Sequence, residues 1–202
     1  MSERRMTVNT KKLDWENPSL LWRIEDFFKG LFGERFLYNT YVDVFQLKGL
    51  ERALDFGCGG GVCSRLIAKK LSGTGHLTCV DVSAYQISKA RKKLKRFVNV
   101  DFIVGDVTES DALHSSYDII SIFHVLHDIE PAKRQTTINY LSGKLTENGR
   151  LYVCEPTRQS HGMKPEAVRL LMSGAGLAEK RNKTKKSSYV GEFQKVTKQV
   201  PY

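Results

Sequence analysis

Four glycines fall within positions 57–61 of the stretch "ALDFGCGGGVCS", directly after a short apolar run and directly before a helical pattern. A glycine turn between strand and helix lets backbone N–H groups and a helix N-terminus approach a ligand with no Cβ in the way. Several ligand classes exploit this, so the spacing decides. A phosphate-binding loop needs GxxxxGK[ST], and no Lys-Ser or Lys-Thr follows these glycines. A dinucleotide fingerprint GxGxxG started at Gly57 ends on Val62. The pattern present is Asp55-x-Gly57-x-Gly59-x-Gly61, with a carboxylate near the strand end where a pyrophosphate would be repelled. An acid there suits a ligand carrying a cation.

From residue 51 onward, short apolar runs alternate with helical periods. "ERALDF", "HLTCVD", "VDFIVGD", "YDIISIF" and "GRLYVCEP" read as strands, and 61–72, 83–97, 131–146 and "KPEAVRLLMSGAG" as helices. Strands separated by one helix each predict right-handed crossovers and a doubly wound, mostly parallel α/β sheet whose ligands bind at the carboxyl edge. Two further strands, over 177–187 and 191–198, have no helix between them and should pair antiparallel. Before residue 50, Leu20, Leu21, Ile24, Phe27, Phe28, Leu31 and Phe32 follow helical spacing, as do Leu37, Tyr41, Val44 and Phe45 after Gly33. At 202 residues the chain has room for one full α/β domain with an appendage. Residues 1–48 are therefore expected to form a helical cap and substrate lid, and 49–202 the ligand-binding domain.

Asp81 ends the second strand, where a carboxylate can accept hydrogen bonds from both hydroxyls of a ribose. Asp106, in "VGDVT", ends the third, within reach of an adenine amino group. "LDFGCGGG", "VDVS" and "GDVT" at these spacings resemble the class I S-adenosylmethionine-dependent methyltransferases over about residues 51–198. "FHVLHDI" after the fourth strand is similar to the small-molecule branch that includes ubiquinone- and menaquinone-biosynthesis enzymes. The resemblance implies a Rossmann-like sheet of seven strands with the last one antiparallel. It also implies S-adenosylmethionine as cofactor and S-adenosylhomocysteine as product. Gly57 and Gly59 would line the methionine moiety, Asp81 would hold the ribose, Val82 and Val107 would flank the adenine, and Asp106 would meet its amino group.

Methyl transfer from a sulfonium is an in-line displacement, so the acceptor's lone pair must be aligned and competing water excluded. A base helps if the acceptor is a hydroxyl, thiol or enol. His124 and His127, just past the fourth strand, are the candidates, with Glu155 and Asp128 behind them. The position that would carry an [NDS]PP[YFW] base-methylating loop reads "SIFHVLHD", and the paired-glutamate loop of arginine methyltransferases is missing. No Asp or Asn cluster at the strand ends suggests the metal site of catechol-type enzymes, so no metal is expected. The linker "TRQSHGM" is too short for a substrate-recognition insertion, leaving the pocket to be covered by aromatics of the cap, Tyr38 and Tyr41 foremost.

The net charge is +10, and residues 158–202 hold ten Lys or Arg against Glu166, Glu179 and Glu192. Such a field draws anionic partners: an acidic small molecule, nucleic acid or an anionic membrane surface. Aromatic residues for stacking on single strands are scarce in the basic runs "SKARKKLKRF" and "EKRNKTKKSS", so nucleic acid is the lesser candidate. No run reaches the length of a membrane span and the first residues lack a secretory core, so a cytoplasmic location is expected. The four cysteines show no CxxC spacing and are expected as buried free thiols. The leading expectation is methyl transfer to a small acceptor, lipophilic or anionic. Its rivals are an RNA or protein methyltransferase and a non-catalytic module that binds S-adenosylmethionine.

Overall fold

In a computed structural model, the described residues are 34–110, 113, 116–158, 161–185 and 187–196. Their order is α1 (Glu34–Asp43), β1 (Arg52–Phe56), α2 (Val62–Lys70), β2 (His76–Asp81), α3 (Ala84–Leu94) and β3 (Val100–Val104), then a single turn, α4 (Val107–Ser110). There follow β4 (Tyr117–Phe123), α5 (Pro131–Gly143), β5 (Leu145–Arg158), a two-residue β6 (His161–Gly162), α6 (Pro165–Gly174), β7 (Leu177–Lys185) and β8 (Ser188–Lys195). The predicted helix over Leu20–Phe32 lies outside the described residues.

The strands join in the order β3-β2-β1-β4-β5-β8-β7, with β6 beside β5 off this path. All pairs from β3 to β5 are parallel, and β8 runs antiparallel to both its neighbours. The mostly parallel Rossmann-like sheet with a reversed strand near its end is thus present. The chain reverses its winding between β1 and β4, and a crevice opens at the carboxyl ends of strands at such a switch point.

Alternation along the strands sorts the core into two layers. Leu54, Ile120, Ile122, Leu151 and Val153 face the side covered by α5 and α6, together with Val168 and Met172. Ala53, Leu77, Cys79, Ile119, Tyr152 and Cys154 face the other side, with Ile67 of α2 and Ile87 and Ala90 of α3. Complete burial of each large aliphatic side chain contributes about 1.5–3 kcal/mol, so these two layers carry most of the fold's stability. The four cysteines are buried free thiols.

Three details depart from the pattern read in the sequence. First, α5 ends at Gly143, where the sequence predicts helix to 146, and Asn148-Gly149 lies inside β5. Tyr117 pairs with Leu145 but Ile119 pairs with Arg150, so the intervening residues of β5 bulge out of the ladder. Gly149 fits there because a Cβ would stand 2.9 Å from the Tyr117 carbonyl oxygen. Second, the segment after β5 folds back as a hairpin, with Thr157 opposite Gly162 and Arg158 opposite His161. Third, α1 is built into the core. Tyr41, Val42 and Phe45 are buried, and the Tyr41 hydroxyl contacts the carbonyl oxygens of Ile122 at 3.2 Å and Tyr152 at 2.9 Å. Tyr41 is therefore a tie between helix and sheet; at 1% exposure it has no surface to offer a substrate.

Tyr41→Phe should lower unfolding free energy by about 1–3 kcal/mol, because it leaves buried acceptors short of a donor. Urea denaturation tests this, and a change within a few tenths of a kcal/mol would show that ring packing alone anchors α1.

Candidate functional site

The glycine turn divides its work among residues that look alike in sequence. Gly57, Gly59 and Gly61 all have positive φ, at 70°, 51° and 74°. At Gly57 a Cβ would stand 2.3 Å from a methyl of Val125, and at Gly61 it would meet Leu94 and Ala90 of α3. Those two positions need glycine for packing. Gly59 has nothing within 4 Å of the place a Cβ would take, so its backbone faces open space at the mouth of the crevice. Gly61 is also the N-cap of α2, and it supplies no side chain to occupy that helix end.

Acids surround the turn. Asp81, at the end of β2, accepts the Gly59 N–H at 2.9 Å and the Ser83 N–H at 2.8 Å. A carboxylate offers about four acceptor positions, so two contacts leave Asp81 capacity for more donors. Burial raises its pKa, against the lowering effect of those two N–H groups. Asp55 lies deeper than the sequence suggests. It is 1% exposed, and its oxygens take the hydroxyls of Ser64 at 2.6 Å and Ser121 at 3.0 Å, below the turn and out of the open crevice. Burial pushes its pKa up to about 6, the two hydroxyls oppose this, and the charge of Asp81 adds to it. Two carboxylates that repel one another leave a negative field, and a bound cation would relieve it.

The adenine-side candidates separate as well. Val82 is 54% exposed beyond β2, as a flat apolar contact requires. Val107 is fully buried in the core beside Leu54 and Val80, so its side chain does not reach the surface where a ligand would be flanked; Val104, at the end of β3, is an apolar side chain that is half exposed. Asp106 accepts the backbone N–H and hydroxyl of Thr108, at 3.0 and 2.6 Å, and so starts α4. Tyr38 stacks on Phe123 with ring centroids 4.2 Å apart, and Phe123 stacks on His124 at the same distance.

The loop from β4 to α5 holds the two predicted histidines in different states. His124 sits at φ 58° with its Nε2 buried and without a partner. Burial pulls its pKa down to about 4, so the ring is neutral near pH 7. His127 donates or shares Nδ1 with Glu155 at 2.6 Å, and its Nε2 lies 3.0 Å from Nε2 of His161. Burial lowers the His127 pKa, but the hydrogen bond and charge of Glu155 outweigh it and the net shift is upward. Glu155 is fully buried and also accepts the N–H groups of Val125 at 3.0 Å and Leu126 at 2.8 Å. This carboxylate therefore shapes the whole loop. His161 was not anticipated; its signal is the short "HGM" after "EPTRQS", where Gly162 at φ 148° packs against the Pro156 carbonyl and closes the hairpin. A separate cavity of about 380 Å³ lies at the opposite, amino-terminal strand edge, lined by Arg52, Thr74, His76, Thr78, Asp101 and Tyr117. His76 pairs with Asp101, and Tyr117 with Thr78, so that lining is largely satisfied internally.

Residues 53–149 match the family described as "Methyltransferase domain". An uncharacterized methyltransferase of Mycobacterium bovis is 26% identical over 118 residues, covering 57% of this chain and 56% of that protein. The ubiquinone biosynthesis O-methyltransferase of Saccharophagus degradans is 30% identical over 115 residues, covering 55% of this chain and 48% of that protein. The chain thus spans about half the length of these curated relatives. Among solved structures, magnesium protoporphyrin IX methyltransferase from Synechocystis, with bound S-adenosylhomocysteine, superimposes with a TM-score of 0.68 at 17% identity, over 90% of both chains.

The buried Asp55 carboxyl makes stability depend on pH. Its folded pKa of about 6 stands above the ordinary value of 3.8, so the folded state holds the proton more tightly. The resulting stabilisation is complete below about pH 4 and is lost as pH rises through about 6, a change of up to about 3 kcal/mol. Asp55→Asn should lack this segment of the pH profile, so that variant and wild type diverge in urea midpoint between pH 4.5 and 7. Parallel profiles would remove Asp55 as the titrating group.

Proposed function

We propose that this chain, which carries a match to a methyltransferase domain over residues 53–149, is a class I S-adenosylmethionine-dependent methyltransferase that moves a methyl group from S-adenosylmethionine to a small-molecule acceptor, lipophilic or anionic. One observation carries this reading. Gly59, with open space where a Cβ would stand, donates its N–H to the Asp81 carboxylate at the sheet's switch point, and Val82, next to Asp81 in the chain, is exposed. The crevice there suits a cationic nucleoside better than a phosphate, because Asp55 and Asp81 would repel the latter.

When bound, S-adenosylmethionine supplies an electrophilic methyl group on a positively charged sulfur. Gly57 and Gly59 would hold the methionine moiety, and Asp81 would accept the ribose hydroxyls with the capacity it keeps beyond Gly59 and Ser83. Val82 and Val104 would cover the adenine, with Asp106 at its amino edge. Asp55 acts at a distance, by placing negative charge under the turn. His124 holds a neutral ring whose Nε2 is buried and unpartnered; uncovered by a shift of its loop, it would accept a hydrogen bond from the acceptor's O–H or N–H and turn its lone pair toward the methyl group. The Tyr38–Phe123–His124 stack would give the acceptor side an aromatic wall through Tyr38, which would favour a flat or lipophilic molecule. Residues 1–48 would complete the cover, and within them the helix Glu34–Asp43 is tied into the core through Tyr41. No described helix is long and apolar enough to cross a membrane, and a cytoplasmic site of action fits this reading.

Calorimetry of the full chain with S-adenosylmethionine should show saturable binding that Asp81→Ala weakens at least about tenfold, one charge-assisted contact being worth that much. Since Asp81 also supports the turn, Val82→Asp provides a second probe that leaves those hydrogen bonds in place. Wild-type affinity in both variants would refute the placement of the nucleoside. Once an acceptor is found, His124→Ala should lower kcat at least about tenfold with S-adenosylmethionine affinity unchanged. Wild-type turnover would remove His124 from the reaction.

A further inference from the structure

Outside the crevice proper, two imidazoles and a carboxylate converge from elements far apart in sequence. His127 and Asp128 come from the loop after β4, and His161 from the hairpin after β5. Their ligating atoms all lie within 4.8 Å of one another. His127 Nε2 is 3.0 Å from His161 Nε2 and 3.6 Å from Asp128 Oδ2. In a tetrahedral site with bonds near 2 Å, adjacent ligand atoms stand about 3.3 Å apart, so small side-chain rotations would bring this set into range. We propose that His127, His161 and Asp128 form a binding site for a divalent transition-metal ion such as zinc.

A further observation points the same way. Glu155, fully buried, takes the Nδ1–H of His127 at 2.6 Å and is itself fixed by two backbone N–H groups. That contact commits the Nδ1 proton and leaves the Nε2 lone pair facing His161 and Asp128. A carboxylate behind a ligating imidazole is the arrangement that orients metal-binding histidines and raises their basicity. The rings of His127 and His161 meet edge-on, with an interplanar angle of 76°, so both can aim a nitrogen at one point. Arg134 holds the carbonyl oxygens of His127 and Ile129 at 3.0 and 2.9 Å, which keeps the loop from opening. Asp128 and His161 are exposed, so an ion can reach the site from solvent.

Three protein ligands leave a fourth position open on a tetrahedral ion. The site shares its loop with Val125, which packs against Gly57. Resting on the proposed methyl transfer, the open position would take an anionic oxygen of the acceptor, such as a phenolate or carboxylate. The absence of an acidic cluster, from which no metal was expected, does not bear on a site built mainly from histidines.

The test needs no methyl transfer. The untagged full chain, stripped of metal, is titrated with Zn²⁺ by calorimetry and with Co²⁺ by visible absorption. One equivalent should bind, with intense d–d bands of a four-coordinate cobalt ion. His161→Ala and Asp128→Asn should each weaken zinc binding at least about tenfold, and Glu155→Gln by about 10–100-fold. A His76→Ala variant, which alters the other histidine–aspartate pair, should bind as wild type does. No saturable binding, or equal affinity in wild type, His161→Ala and Asp128→Asn, overturns the proposal. Circular dichroism establishes that each variant is folded before it is scored. Binding of S-adenosylmethionine is measured separately on the same samples, so loss of the metal site and failure of the methyltransferase reading give different results.

Discussion

Three positive-φ residues within five positions turn the chain sharply from the end of β1 into α2, and much of the active edge is arranged around that bend. A side chain at Gly57 would collide with Val125, so the turn and the loop after β4 can meet only over a bare backbone. At Gly61 the same bareness lets α2 settle against α3. Of these three, only Gly59 has nothing within 4 Å of the place a Cβ would take, and its N–H is held by Asp81. Interlocked in this way, the turn after β1 and the loop after β4 hold a fixed relation to each other, which the proposed in-line displacement would require.

A buried carboxylate supports each side. Asp55 sits under the turn on two serine hydroxyls, and Glu155 sits under the β4–α5 loop on two amides and an imidazole. Removing a carboxylate from water is costly, and each is tolerated because donors satisfy its oxygens. Their local circumstances differ, however. The donors of Asp55 are neutral and a second acid, Asp81, lies near, whereas Glu155 faces an imidazole that can carry positive charge. The first arrangement remains electrically unsatisfied and suits an incoming cation; the second is already complete and serves to hold a loop in shape.

Much of this architecture was legible because its determinants are local. The apolar runs 76–81 and 117–123 coincide with β2 and β4 residue for residue, since each is bounded by polar turn residues and buried on both faces. The beginning of β5 was not legible: a bulge set by tertiary contact with Tyr117 hides a strand inside an Asn-Gly that reads as a helix stop. Site residues followed the same division. Exposure of Val82 beyond the end of its strand agrees with its position in sequence, but Val107, one residue past Asp106, turns into the core with the first turn of α4. Tyr38 and Tyr41 share a helix face, and only the hydroxyl contacts with Ile122 and Tyr152 reveal that the second is a structural tie. His161 is brought to His127 by a hairpin that pairs only two residues on each side, too short to leave a periodic trace in the sequence.

Among the described residues β7 is the last strand of the sheet, and from Lys180 to Lys185 its side chains are all exposed, with Lys180, Arg181, Lys183 and Lys185 among them. Four cations along that rim make the approach of a second such rim repulsive, which disfavours continuing the ladder into a neighbouring molecule. The basic residues of β7 thus have a physical consequence that needs no anionic partner: like charge disfavours edge-to-edge stacking of two copies.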